Sequence, residues 1–301
     1  MTEFILRGFS DVPRLQFLFF LLVLLIYFIT FGGNITTLLL VCLNSHLHTS
    51  MYFFLANLSM LDMSCSTTTL HKIFTMFLFK DRSMSYVSCL AQFYIFCSLT
   101  GDQFWILAAM SYDRYVAICR PLYYHMIMSW RCCVLLAFVC WVLGFLEILP
   151  LAVMLSRFTC YKSNEIDHFF CDVTALSEIT CNDKTAVELY IYTVGLSHLS
   201  ASFSFTFIPY VYIISCILRI SSGAGRLKAF YTCSSHIVVV LMFHMAILLQ
   251  YVILVLTNSK ISNKIFALLN TAFIPMLNPL IYSLKNNDVK LALQRMFRKK
   301  N

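Results

Sequence analysis

Two adjacent side chains, Asp113 and Arg114, close a long apolar run that begins near Tyr86. A paired charge there is costly in hydrocarbon, so it points to a membrane boundary and to a switch that the pair holds in one state. A second cluster, His168, Cys171 and Asp172, sets an imidazole, a thiolate and a carboxylate at a spacing able to hold copper or zinc. The sulfur has a competing use. Cys89 starts the third apolar run, while Cys160, Cys171 and Cys181 share the long loop from Arg157 to Ala186. On an oxidising face these four can pair in three ways, and the sequence does not choose among them. A bridged cysteine cannot donate a thiolate, which favours loop packing over a metal at His168. Asn34, Asp62 and Asn278 lie at mid-depth of three apolar runs and predict a shared hydrogen-bond network. His198 and His244, each embedded in apolar sequence, can donate, accept or titrate.

The elements that must position these groups follow from composition. Of 301 residues, 60% are hydrophobic and 12% charged, whereas soluble domains carry roughly a quarter charged residues. Windows of about 20 apolar residues place spans at 15–43, 51–79, 86–118, 132–156, 187–218, 229–256 and 265–284. The seventh, interrupted by Asn270, Pro275, Asn278 and Pro279, reads as the weakest. The runs are continuous and lack period-two alternation, which excludes a barrel. The expected fold is an all-α membrane protein, a seven-transmembrane helix bundle forming a single domain over 1–301. A tail over 1–14 lies outside and a tail over 285–301 inside. Lys290, Arg295, Arg298, Lys299 and Lys300 face one acid, Asp288, and alternate with Val289, Leu291, Leu293, Met296 and Phe297. That pattern predicts a short C-terminal amphipathic helix on an anionic inner leaflet. The net charge of +8 is therefore membrane topology, not nucleic-acid binding. No HExxH, GxSxG or paired intramembrane carboxylates point to an enzyme, and no internal repeat points to a transporter.

Four segments resemble the signatures of vertebrate olfactory receptors, tetrapod-type, within the rhodopsin-like G protein-coupled receptors. They are Leu47-His-Thr-Ser-Met-Tyr-Phe-Phe-Leu-Ala-Asn-Leu-Ser59, Met110-Ser-Tyr-Asp-Arg-Tyr-Val-Ala-Ile-Cys119, Lys228-Ala-Phe-Tyr-Thr-Cys-Ser-Ser-His236 and Pro275-Met-Leu-Asn-Pro-Leu-Ile-Tyr-Ser-Leu-Lys-Asn286. Ser50, Ser111 and Tyr231 depart from the usual proline, alanine and serine, and Pro209 precedes Tyr210 where serine is usual. The resemblance implies bridges Cys89–Cys171 and Cys160–Cys181, with the loop tied over the bundle as a lid, and it also suggests a metal role for the His168 motif. It implies a coupling switch of Asp113, Arg114, Tyr115, Tyr210, Asn278, Pro279 and Tyr282. In related receptors the polar network can hold sodium. Here the usual acid of the third span is Gln103, with Asp102 one position earlier. One residue turns a helix by about 100°, which favours water over sodium beside Asn34, Asp62 and Gln103.

The resemblance further implies an odorant cavity lined by Phe93, Phe96, Cys97 and Thr100 of the third span, Val194 and His198 of the fifth, His244, Ile247 and Tyr251 of the sixth, and Thr271 of the seventh. That set holds no charged side chain, which argues for a neutral volatile ligand and against an amine. The sixth span reads Phe243-His-Met245 in place of the family's Phe-Tyr-Gly. The implied partners are an odorant, the lipid bilayer and a stimulatory olfactory-type G protein that raises cyclic AMP. The implied location is the plasma membrane of olfactory cilia, with the N-terminus outside. A receptor of the same fold reading a metabolite outside the nose is the alternative, and a small transporter the more distant one.

Overall fold

The structure, a computed structural model, describes the chain except residues 1–2, 10–11, 258–259, 286–288, 293 and 295–301, and except the side chains of 13, 228, 231–232, 235, 251–260 and 283–285. Among the described residues seven long helices form the bundle. They are α1 (Pro13–Leu43), α2 (Ser50–Leu78), α3 (Tyr86–Cys119), α4 (Trp130–Ser156), α5 (Thr185–Leu218), α6 (Gly223–Thr257) and α7, which runs over Lys260–Leu268, a π-helical turn Leu269–Phe273, and Ile274–Lys285. Their starts carry local signals. Pro13 occupies the first turn of α1, where a missing N–H costs nothing. Ser85 and Ser129 cap α3 and α4 by accepting from Ser88 N at 3.1 Å and Cys132 N at 3.4 Å.

Burial separates the helices by task. α3 is buried along most of its length and packs on α2, α4 and α5. α1, α4 and α5 turn Leu18, Phe28, Leu135, Phe138, Phe205 and Val211 outward, an apolar rim suited to lipid. Five helices, including α7, are long and apolar enough to cross a bilayer among the described residues. Contrary to the sequence expectation, the seventh span is therefore not the weakest. α2 is more polar because it turns Asn57, Ser59, Asp62, Ser66 and Thr69 into the bundle. Trp141 Nε1 donates to Asn57 at 3.1 Å and Ser66 Oγ donates to the Thr271 carbonyl at 2.8 Å, which pairs those groups across helices.

Two glycines permit close approach. A Cβ on Gly33 of α1 would lie 2.9 Å from Pro279 Cγ of α7, and one on Gly144 of α4 would lie 2.6 Å from the Ser98 carbonyl oxygen of α3. Asn278 and Pro279 of the expected switch are helical, and the irregular turn lies earlier, at 269–273. There Asn270 Nδ2 donates to Gln250 of α6 at 2.6 Å.

The N-terminal segment is more than a polar tail. Strand β1 (Glu3–Leu6) pairs antiparallel with β2 (Ser83–Ser85) and parallel with β3 (Glu165–Ile166), in the order β2-β1-β3. Phe4 and Leu6 are buried while Glu3 and Ile5 face out, the alternation of a half-buried strand. Arg7 Nη2 meets Glu165 Oε2 at 2.6 Å. At the other terminus residues 289–292 and 294 are helical, with Val289 and Ala292 buried in the core and Lys290 and Leu291 exposed. The remaining basic and apolar positions of the expected amphipathic helix, from Arg295 onward and at Leu293, lie outside the described residues.

Candidate functional site

The charge pair at the end of α3 is the centre of a cluster. Asp113 is fully buried. Its Oδ2 accepts from Arg114 Nε at 3.0 Å and from Arg114 Nη2. Its Oδ1 accepts from Ser50 Oγ at 2.5 Å and Tyr124 OH at 3.0 Å. Ser50 opens α2, and Tyr124 sits on a short helix, Tyr124–Ile127, between α3 and α4. Sequence reasoning missed both partners, although Ser50 stood out as the residue replacing a proline. Burial and the neighbouring Asp113 push the Tyr124 phenol up, so it remains a donor. Tyr210 of α5 bonds to His236 Nδ1 of α6, not to Arg114. Tyr115 stacks obliquely on Tyr212 of α5 at 5.9 Å. Tyr282 is buried, its ring 6.5 Å from that of His236. Cys119 and Cys216 come together near this end, bringing α3 against α5 with their Cα atoms 5.9 Å apart.

Deeper in the bundle Asp62 gathers two of its expected neighbours. Gln103 Nε2 donates to its Oδ1 at 2.8 Å, and Asn278 Nδ2 reaches both oxygens, at 3.1 and 2.9 Å. Asn34 does not join them; its amide donates to the Thr30 and Pro275 carbonyls at 2.9 and 3.2 Å. Amide donors aimed at a carboxylate occupy the lone pairs a cation would use. Asp102 packs instead against Gly144. This donor set does not suit sodium.

Between this network and the long loop lies a cavity of about 170 Å³. Its wall includes Phe93, Phe96, Cys97 and Thr100 of α3, Val194 and His198 of α5 and Ile247 of α6, seven of the ten expected positions. His244 lies beneath, its Nδ1 3.0 Å from the Val240 carbonyl and its ring edge-on to Phe104 at 4.9 Å. Thr271 is buried and is not part of the wall, and the side chain of Tyr251 lies outside the described residues. The wall also carries Glu147 of α4 and Asp172 of the loop. An expected lining without charge, the ground for a neutral ligand, is therefore corrected by two carboxylates. Glu147 was missed because an acid inside the fourth apolar run gives no hint of which way it points.

The loop closes the cavity as a lid. Cys89–Cys171 ties it to the start of α3 and Cys160–Cys181 closes the loop on itself, the pairing the resemblance implied. Gln92 Oε1 accepts from Cys171 N at 2.8 Å. Phe169 and Phe170 are buried, and Phe170 meets Phe96 edge-on at 5.2 Å. Asp172 caps the short helix Val173–Ile179 by accepting from Thr174 N at 2.9 Å. His168 is buried, and burial holds its imidazole down at about 4. With Cys171 in a bridge, no three metal-ligating groups converge among the described residues.

A seven-helix bundle with a lidded cavity at one end and an Asp–Arg pair at the other defines a class. The chain superposes on squid rhodopsin with a TM-score of 0.71 at 17% identity, over 96% of this chain and 87% of that one, which gives the rhodopsin-like receptor fold. The model of the olfactory receptor family matches residues 23–300. Human olfactory receptor 6C1 is 41% identical over 99% of this chain and 96% of its own length. Human olfactory receptor 6Q1 and mouse olfactory receptor 5M5 are each 42% identical over 99% of this chain and 94% of theirs. The chain belongs to the olfactory receptor family, whose members are multi-pass plasma-membrane G protein-coupled receptors and not enzymes.

Proposed function

We propose that this protein is an odorant receptor. A small volatile, mainly apolar molecule enters the cavity beneath the loop, and its binding promotes nucleotide exchange on a stimulatory olfactory-type G protein, raising cyclic AMP. The observation that carries this reading is the separation of two built sites in one bundle: the lidded cavity, and the Asp113 cluster at the far end of the same helix α3. A ligand shifts such a bundle only by its differential affinity for two arrangements. The cluster supplies the bistable part: Arg114 held by Asp113 in one arrangement, released toward the G protein in the other. In this reading the N-terminal strand and the loop lie outside the cell, the Asp113 face lies inside, and the membrane is that of olfactory cilia.

Expression with the olfactory-type G protein and measurement of cyclic AMP against a broad odorant panel tests the proposal, with Arg114→Ala as control. A wild-type response that Arg114→Ala abolishes at equal surface level supports it. Ligand uptake or ion current without nucleotide exchange overturns it.

A further inference from the structure

The base of the cavity holds a polar pair outside the four family-like segments. Glu147 of α4 and His198 of α5 meet with Oε2 and Nδ1 2.5 Å apart. An ionised carboxylate only accepts, so the imidazole donates. Its Nε2 is buried beside Phe104 and Trp105 without a hydrogen-bond partner among the described residues. His198 engages Oε2 alone, and Glu147 Oε1 accepts no hydrogen bond among the described residues, which leaves that oxygen to a donor in the cavity. Asp172 places a second carboxylate on the same wall, while no lysine or arginine lines the cavity among the described residues. Between the acids the wall is apolar, with Phe93, Phe96, Leu151 and Val194. An anion on a mostly apolar wall is costly until a cation meets it.

We propose that the cavity selects a small primary or secondary amine, bound as its ammonium ion to the Glu147 carboxylate with its hydrocarbon body against the aromatic wall. This rests on the receptor reading above and names its ligand class. The volume of about 170 Å³ is below that of drug-sized sites, roughly 300 Å³ or more, which limits the body to a compact skeleton. His198 orients Glu147 and is a positioning residue.

The test uses the full chain in lipid nanodiscs and two matched pairs, cyclohexylmethylamine against cyclohexylmethanol and isopentylamine against isopentanol, titrated by thermal shift at neutral pH. Each amine is expected to bind about tenfold or more tightly than its alcohol. Glu147→Gln is expected to lower amine affinity by about the same factor and alcohol affinity much less, whereas Glu147→Asp keeps the preference. Equal binding of amine and alcohol, a preference for alcohol, or no binding of either amine overturns the proposal. The wild-type pairs decide the matter even where Glu147→Gln fails to fold. Nucleotide exchange is read separately. Amine binding without exchange sinks the receptor reading alone, while exchange driven by the alcohols and not the amines sinks the ligand class alone.

Discussion

Asp113 accepts from three side chains on three segments, and that convergence explains why a buried carboxylate is tolerated at the end of α3. A hydrogen bond to a charged group contributes about 1.5–3 kcal/mol. Asp113→Asn should therefore raise ligand-independent cyclic AMP per surface receptor by about tenfold, with Tyr124→Phe moving it the same way by less. Unchanged basal signal in both variants would remove the cluster from the switch. Gly144 belongs to the same scale. A methyl group there meets the Ser98 carbonyl at 2.6 Å, and backbone cannot swing aside. Gly144→Ala should cost about 1–3 kcal/mol, read as a lower melting temperature of the purified receptor, while Gly195→Ala, with nothing within 4 Å, should not. The residues Asp113 and Arg114 were legible as a pair from their position at an apolar boundary. Tyr124 and Ser50 were not, because nothing in a linear sequence says that a loop tyrosine folds back onto α3.

At the scale of elements the lid is the part most exposed to pH. His168 has its imidazole depressed from 6.5 to about 4 by burial, with Asp172, Asp167 and Lys264 as the charged groups around it. The unfolded lid takes up a proton below about 6.5 that the folded lid refuses. The contribution of His168 to lid stability is thus fully present above that pH and is lost as pH falls from 6.5 through 4. Amide exchange over residues 165–172, corrected for intrinsic rates, should report easier opening at pH 5 than at pH 7, and His168→Gln should flatten the difference. Equal protection at both pH values would show that His168 does not govern the lid. The seven helices themselves were legible to within two residues except at the starts of α6 and α7, because a run of apolar residues long enough to cross a bilayer has one folded solution, the helix. The N-terminal strand was not legible. Four residues of weak alternation become a strand only when β2 and β3 arrive beside them.

For the whole molecule, the bridge Cys89–Cys171 spans 82 residues of chain and fastens the lid over the cavity. Closing a loop of that length stabilises the fold by about 4 kcal/mol in the chain-entropy account. The double variant Cys89→Ser/Cys171→Ser should lower the melting temperature and abolish odorant response, whereas Cys42→Ser, an exposed free thiol, should leave both alone. The sequence by itself determined the membrane solvent, the number of helices and the family, because hydropathy and ordered motifs are properties of the linear chain. Only the tertiary structure decided which acid meets the cavity. Glu147 and Asp102 are both lone carboxylates in apolar helices. The rotation and packing of α4 against α3 and α5 turn one to the cavity wall beside His198 and press the other against Gly144. An angle about a helix axis is fixed by neighbours, and neighbours are what a sequence does not contain.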